Sequence, residues 1–128
     1  MHDMDVLLVD DEVEFVTTLA ERLELRGMKV RLATDGERAL QEVARSQPHV
    51  MVLDLMMPGI KGTEVLRRVK AQWPWVEVIL LTGHGSTRDG IDGMNMGAFD
   101  YLMKPLRIED LLEKLAEAGR IAMAANRE

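Results

Sequence analysis

Three acids, one hydroxyl and one amine stand where this chain could do chemistry. Asp54 ends the apolar run Val50-Met51-Val52-Leu53, and Asp10 and Asp11 follow Val6-Leu7-Leu8-Val9. Thr82 follows Val78-Ile79-Leu80-Leu81, and Lys104 follows Phe99-Asp100-Tyr101-Leu102-Met103. Runs this short, bounded by turn residues such as Pro58-Gly59, read as buried strands rather than helices. Each polar side chain is thereby delivered at a strand's carboxyl end, where a twisted parallel sheet opens a crevice for ligands. A carboxylate so placed can be a nucleophile, a metal ligand or both. Carboxylates gathered in one crevice repel one another, and the ordinary compensation is a hard divalent cation. With few protein oxygens and room for water the set suits Mg²⁺, and sites of this kind also accept Mn²⁺.

A carboxylate nucleophile beside Mg²⁺ points to phosphoryl transfer and an aspartyl phosphate. Negative charge then builds on the equatorial oxygens, so the site needs charge stabilisers more than acids or bases. Lys104 supplies a point charge on a flexible stem, and Thr82 a small donor. The sequence holds neither GxxxxGK[ST] nor GxGxxG, so the phosphoryl group should arrive from another molecule and be held covalently. Each residue also has a plainer reading. Asp10-Asp11-Glu12 could only cap a helix, Thr82 could satisfy backbone, Lys104 could be solvated, and Tyr101 could be a half-buried aromatic. Glu12 is read as a helix-start acid.

The positioning elements follow from periodicity. Val13, Val16, Ala20 and Leu23 recur at helical spacing, with Gly27 as a stop. Val30-Arg31-Leu32-Ala33 alternates as a strand near a sheet edge. Thr34 with Glu37 reads as a capping box opening a helix with Ala39, Leu40 and Val43 inward. Val65, Leu66, Val69 and Trp73 mark a third helix closed by Pro74. A fourth, roughly Arg88 to Met96, contains Gly90 and Gly93, each costing about 1 kcal/mol relative to alanine. Ile108, Leu111, Leu112 and Leu115 open a last helix reaching about Ala125. Five strands alternating with five helices predict an α/β fold: a single doubly wound, flavodoxin-like (βα)5 parallel sheet with right-handed crossovers. The most apolar strands, first, third and fourth, should be central, which the order 2-1-3-4-5 satisfies.

The 128 residues, 47% hydrophobic and 30% charged, suit one globular domain with its core at about residues 4–125. A net charge of -6 argues against a broad basic face for nucleic acid. Absence of cysteine excludes disulfides and thiolate chemistry. No stretch approaches the roughly 18 apolar residues of a membrane span, and Met1-His2-Asp3-Met4-Asp5 lacks the regions of a signal peptide, so a cytoplasmic protein without membrane contact is expected.

Taken together, Leu7-Leu8-Val9-Asp10-Asp11, Asp54-Leu55-Met56-Met57-Pro58-Gly59, Leu81-Thr82-Gly83 and Tyr101-Leu102-Met103-Lys104-Pro105 resemble the receiver domain of two-component response regulators. The resemblance covers essentially the whole chain, residues 1–128. It implies that Asp54 is the phosphoacceptor, taking the group from a phosphohistidine on a sensor histidine kinase or phosphotransfer protein. It implies that Asp11, with Asp10 assisting, is the metal-binding acid pair, and the Met56 backbone carbonyl a further ligand. Lys104 is similar to the family's phosphate-binding lysine, Lys104-Pro105 to its cis peptide, and Thr82 and Tyr101 to its switch pair. The implied output surface is the fourth helix, last strand and last helix, meeting an output domain, a protein partner or a second copy on phosphorylation. The implied role is regulatory, with self-promoted phosphotransfer and autodephosphorylation.

Two other functions use similar parts. A haloacid dehalogenase-type phosphohydrolase would need an acid two residues past the nucleophile, where this chain has Met56. A pseudo-receiver would lack competent site residues, and all five positions here are filled. His84, two residues past Thr82, could tune hydrolysis of the acyl phosphate or be an exposed loop residue, whereas His2 and His49 suggest no metal site. The Met56 side chain could screen the site from water. Trp73-Pro74-Trp75 reads either as a helix-end packing cluster or as an exposed aromatic corner used by a partner. Gly90 and Gly93 could serve only to let their helix approach the sheet.

Overall fold

The computed structural model describes residues 3–83 and 87–125. His84, His2 and the readings attached to them lie outside the described residues. Five strands alternate with five helices along the chain: β1 (Asp5–Val9), α1 (Val13–Glu24), β2 (Lys29–Ala33), α2 (Gly36–Arg45), β3 (Val50–Asp54), α3 (Gly62–Gln72), β4 (Glu77–Thr82), α4 (Thr87–Asn95), β5 (Asp100–Met103) and α5 (Ile108–Ala125). The sheet is parallel throughout in the order β2-β1-β3-β4-β5.

The apolar runs explain which strands are central. Every residue of β3 is buried, as is nearly all of β1 and β4, because helices cover both faces. Alternate side chains go to opposite faces. Leu7, Val9, Met51, Leu53, Val78 and Leu80 pack with Ala39 and Val43 of α2 and Val65, Leu66 and Val69 of α3. Val6, Leu8, Val50, Val52, Ile79 and Leu81 pack with Val16, Leu19 and Leu23 of α1 and Leu111 and Leu115 of α5. Each such side chain contributes about 1.5–3 kcal/mol by leaving water, so this two-sided core fixes the register that aligns the strand ends.

Two local expectations are corrected. Val13 is 59% exposed, and Leu19 takes the inward position, because the apolar stripe of α1 begins a turn later. The N-cap of α2 is Asp35, whose side chain accepts from the Arg38 N–H, and Thr34 is exposed; no Thr34–Glu37 capping box forms. Asp is as good a cap as Thr, and the one nearer the first helical turn took the role. Gly27 adopts φ +90° just past α1, a conformation that disfavours a side chain. Trp73 packs against the core and Lys70 Nζ donates to the carbonyls of Pro74 (2.8 Å) and Val76 (2.9 Å), while Trp75 stays 40% exposed. Gly90 and Gly93 mark close approach: a Cβ at Gly90 would lie 2.7 Å from the Tyr101 ring, and one at Gly93 would strike Leu80. No helix among the described residues is long and apolar enough to cross a membrane.

Candidate functional site

Asp10, Asp54 and Thr82 are the buried polar residues at the carboxyl edge of the sheet, with 1%, 2% and 0% exposure. The two acids are built alike. Asp54 Oδ1 accepts the N–H of Met56 at 3.0 Å, and Asp10 Oδ1 accepts the N–H of Glu12 at 2.9 Å. Each acid therefore uses one oxygen to fold its own loop as an Asx turn and leaves the other facing the cleft. Those free oxygens meet Lys104. Its Nζ lies 2.8 Å from Asp10 Oδ2 and 3.5 Å from Asp54 Oδ2. The contact with Asp10 is an ion pair not aligned as a hydrogen bond, which leaves Asp10 Oδ2 formally unsatisfied.

Lys104 is delivered by backbone. Its N–H donates to the Thr82 carbonyl at 2.9 Å, continuing the ladder past β5, and the Lys104–Pro105 peptide is cis. Thr82 Oγ1 is fully buried with no hydrogen-bond partner among the described residues. Tyr101 is half-buried on β5, its ring against Gly90 of α4.

Burial, the largest influence, pushes the Asp10 carboxyl above its ordinary range, reinforced by the Asp54 charge and opposed by Lys104 and the Glu12 N–H. Burial pulls the Lys104 ammonium the other way, toward deprotonation, but its contacts with Asp10 and Glu12 and the charges of Asp10 and Asp54 outweigh that. The amine is held above its usual value and stays charged.

Glu12 is the residue that sequence reasoning missed. Its carboxylate is 2.6 Å from Lys104 Nζ, and among the described residues Asp10, Glu12 and Asp54 form a group whose oxygens lie within 4.8 Å of one another. It stands at the N-cap of α1 but makes no capping bond. Asp11 is exposed and outside this group. Met56 turns its N–H to Asp54, and its side chain is 61% exposed. Only the identity of Glu12 as a third acid in one run was visible beforehand; which of Asp11 and Glu12 faces the cleft depends on how the chain turns into α1. A hard, all-oxygen donor set with an unsatisfied buried oxygen fits Mg²⁺.

The family model described as "Response regulator receiver domain" matches residues 6–116. The chain is 38% identical over 112 residues to "Response regulator MprA" of Mycobacterium leprae, covering 88% of this chain and 49% of the relative. It is 37% identical over 110 residues to "Transcriptional regulatory protein TrcR" of Mycobacterium tuberculosis, covering 86% of this chain and 43% of the relative. The chain thus spans about half the length of the curated relatives it matches. Among solved structures, the receiver domain of the Francisella response regulator 1452 superposes with a TM-score of 0.86 at 30% identity, covering 92% of this chain and 98% of that one. NtrX from Brucella abortus superposes with a TM-score of 0.91 at 28% identity, covering 99% of this chain and 29% of that one.

Proposed function

The chain belongs to the response regulator receiver family, and from that premise we propose that it is a phosphorylation-dependent switch with Asp54 as phosphoacceptor. The observation that carries the reading is the convergence on one cleft of a buried acid whose second oxygen faces Lys104, that charged amine, and a buried hydroxyl with no partner among the described residues. In the transfer, Asp54 Oδ2 attacks phosphorus of a kinase phosphohistidine. The new P–O bond forms as the P–N bond breaks, and the departing imidazole takes up a proton from solvent. Lys104 stays charged and supplies an ammonium to the developing charge. Thr82 Oγ1 donates to a phosphoryl oxygen, gaining a partner that it lacks among the described residues.

Asp10, Asp54 and Glu12 or Asp11, with the Met56 carbonyl, would hold Mg²⁺, which when bound neutralises the charge gathered between acid and phosphoryl group. Phosphorylation can bias two arrangements only through contacts made better in one of them. Here those are Thr82 and Lys104. Movement of Thr82 opens space beside Tyr101, whose ring rests on α4 at Gly90. The α4, β5 and α5 surface is therefore the output face, for an output domain, a protein partner or a second copy. Relatives named transcriptional regulators support control of gene expression through a segment other than residues 6–116, in the cytoplasm. The receiver unit spans residues 1–128.

Acetyl phosphate with Mg²⁺, followed by mass spectrometry, tests the reading. One labile phosphate per chain, absent in Asp54→Asn, is expected. Steady turnover of phosphodonor with no adduct would favour a phosphohydrolase, and no reaction would favour a pseudo-receiver.

A further inference from the structure

The acidic residue nearest to Lys104 is not one of the two buried acids but Glu12, at 2.6 Å against 2.8 Å for Asp10 and 3.5 Å for Asp54. Glu12 is 63% exposed in its side chain and makes no cap bond to α1, so among the described residues Lys104 is the one partner its carboxylate has. One helical turn further on, Phe15 places its ring centroid 4.7 Å from the same Nζ. Residues three apart on a helix share a face, so carboxylate and ring hold the ammonium between them from one side of the cleft.

We propose that Glu12, supported by Phe15, is a positioning residue that draws the Lys104 ammonium toward α1 and away from the phosphoacceptor. The inference rests on the reading of Asp54 given above. An amine with three acceptors within reach distributes its protons among them. A phosphoryl group on Asp54 must recruit Lys104 against the pull of Glu12, so the first turn of α1 sets how strongly the phosphorylated arrangement is favoured. Because the Glu12 pair is largely exposed, its effect is modest, about two- to fivefold in an equilibrium constant.

The test uses the whole chain and two readouts. Without metal, the Lys104 Cε and Nζ resonances, assigned by their loss in Lys104→Arg, are expected to shift in Glu12→Gln and in Phe15→Leu. At saturating Mg²⁺, Glu12→Gln is expected to bind beryllofluoride, a phosphoryl mimic, about two- to fivefold tighter than the natural protein. Glu12→Asp, which keeps the charge, should fall between the two. Unmoved lysine resonances, or beryllofluoride affinity that is unchanged or weaker in Glu12→Gln, would overturn the proposal. Weaker Mg²⁺ binding alongside weaker beryllofluoride binding would make Glu12 a metal ligand instead. Failure of the natural protein to bind beryllofluoride would sink the reading of Asp54, while the metal-free resonances would still report on Glu12.

Discussion

The two ends of the sheet handle charge in opposite ways. At the amino end, Arg31 of β2 is one cation among more acceptors than it needs: Glu42 Oε1 at 3.0 Å, the Ser46 carbonyl at 2.7 Å, the Glu42 carbonyl at 3.2 Å and Asp5 Oδ1 at 3.7 Å. His49 Nδ1 accepts the Asp5 N–H at 2.9 Å, tying the starts of β3 and β1 together. At the carboxyl end, one lysine faces three carboxylates, and among the described residues one oxygen of a buried acid has no hydrogen-bond donor and a buried hydroxyl has no partner. The first arrangement closes the loose ends of strands and of the last turn of α2. The second leaves its groups short of partners, and that shortage is what a cation and a phosphoryl group would relieve. One sheet can hold both because burial makes unsatisfied polar groups costly only where nothing arrives to satisfy them.

The contrast breaks most directly at Arg31. Arg31→Ala takes the donor from the Glu42 and Ser46 carbonyls and the ion pair from Asp5, leaving Glu42 Oε1 with Arg45 alone, and is expected to lower unfolding free energy by about 2 kcal/mol in denaturant titration, with Asp54 phosphorylation intact. An unchanged midpoint would mean that the amino-end network is only surface decoration. The carboxyl end should respond with the opposite sign. Asp10→Asn removes a charge that burial disfavours, and is expected to stabilise by about 1 kcal/mol at neutral pH while impairing Mg²⁺-dependent phosphorylation.

The pH dependence sharpens this second case. With its folded carboxyl raised, Asp10 makes the folded state bind more protons than the unfolded chain between 3.8 and that raised value. Natural stability therefore falls relative to Asp10→Asn as pH rises through that window, and the gap is constant above it. Lys104 does not blur the comparison. Its stabilising contribution is complete below 10.5 and is lost only as pH rises from there through its higher folded value. Thermal melts of both proteins across pH would show the widening gap; parallel curves would refute it. The smallest effect belongs to Thr82→Val, which replaces by a methyl a hydroxyl that has no partner among the described residues. A gain of about 0.5 kcal/mol is expected, with the response of Tyr101 to beryllofluoride lost in NMR spectra.

Much of the carboxyl end was legible before any coordinates, because each polar residue follows an apolar run. Val6 to Val9, Val50 to Leu53 and Val78 to Leu81 have no reason to be so uniformly apolar except burial on both faces, and burial of that kind implies a central parallel strand. The amino end was not legible. Arg31 sits in an alternating strand like any edge arginine, and its partners Glu42 and Ser46 are 11 and 15 residues away. Thr34 reads as the cap from its spacing to Glu37, and the backbone at the entry to α2 gives the role to Asp35 instead.

Composition and order along the chain determined the architecture: parallel strands end at one edge of the sheet, so Asp10, Asp54, Thr82 and Lys104 share that edge. What remained for tertiary structure was a matter of a few ångströms. Asp11 and Glu12 are adjacent acids with the same charge, and only the turn into α1, fixed by the Asx bond from Asp10, decides that Glu12 reaches Lys104 while Asp11 faces solvent. Periodicity fixes which face a side chain takes within a helix or strand, but at the junction between them the direction is set by long-range packing.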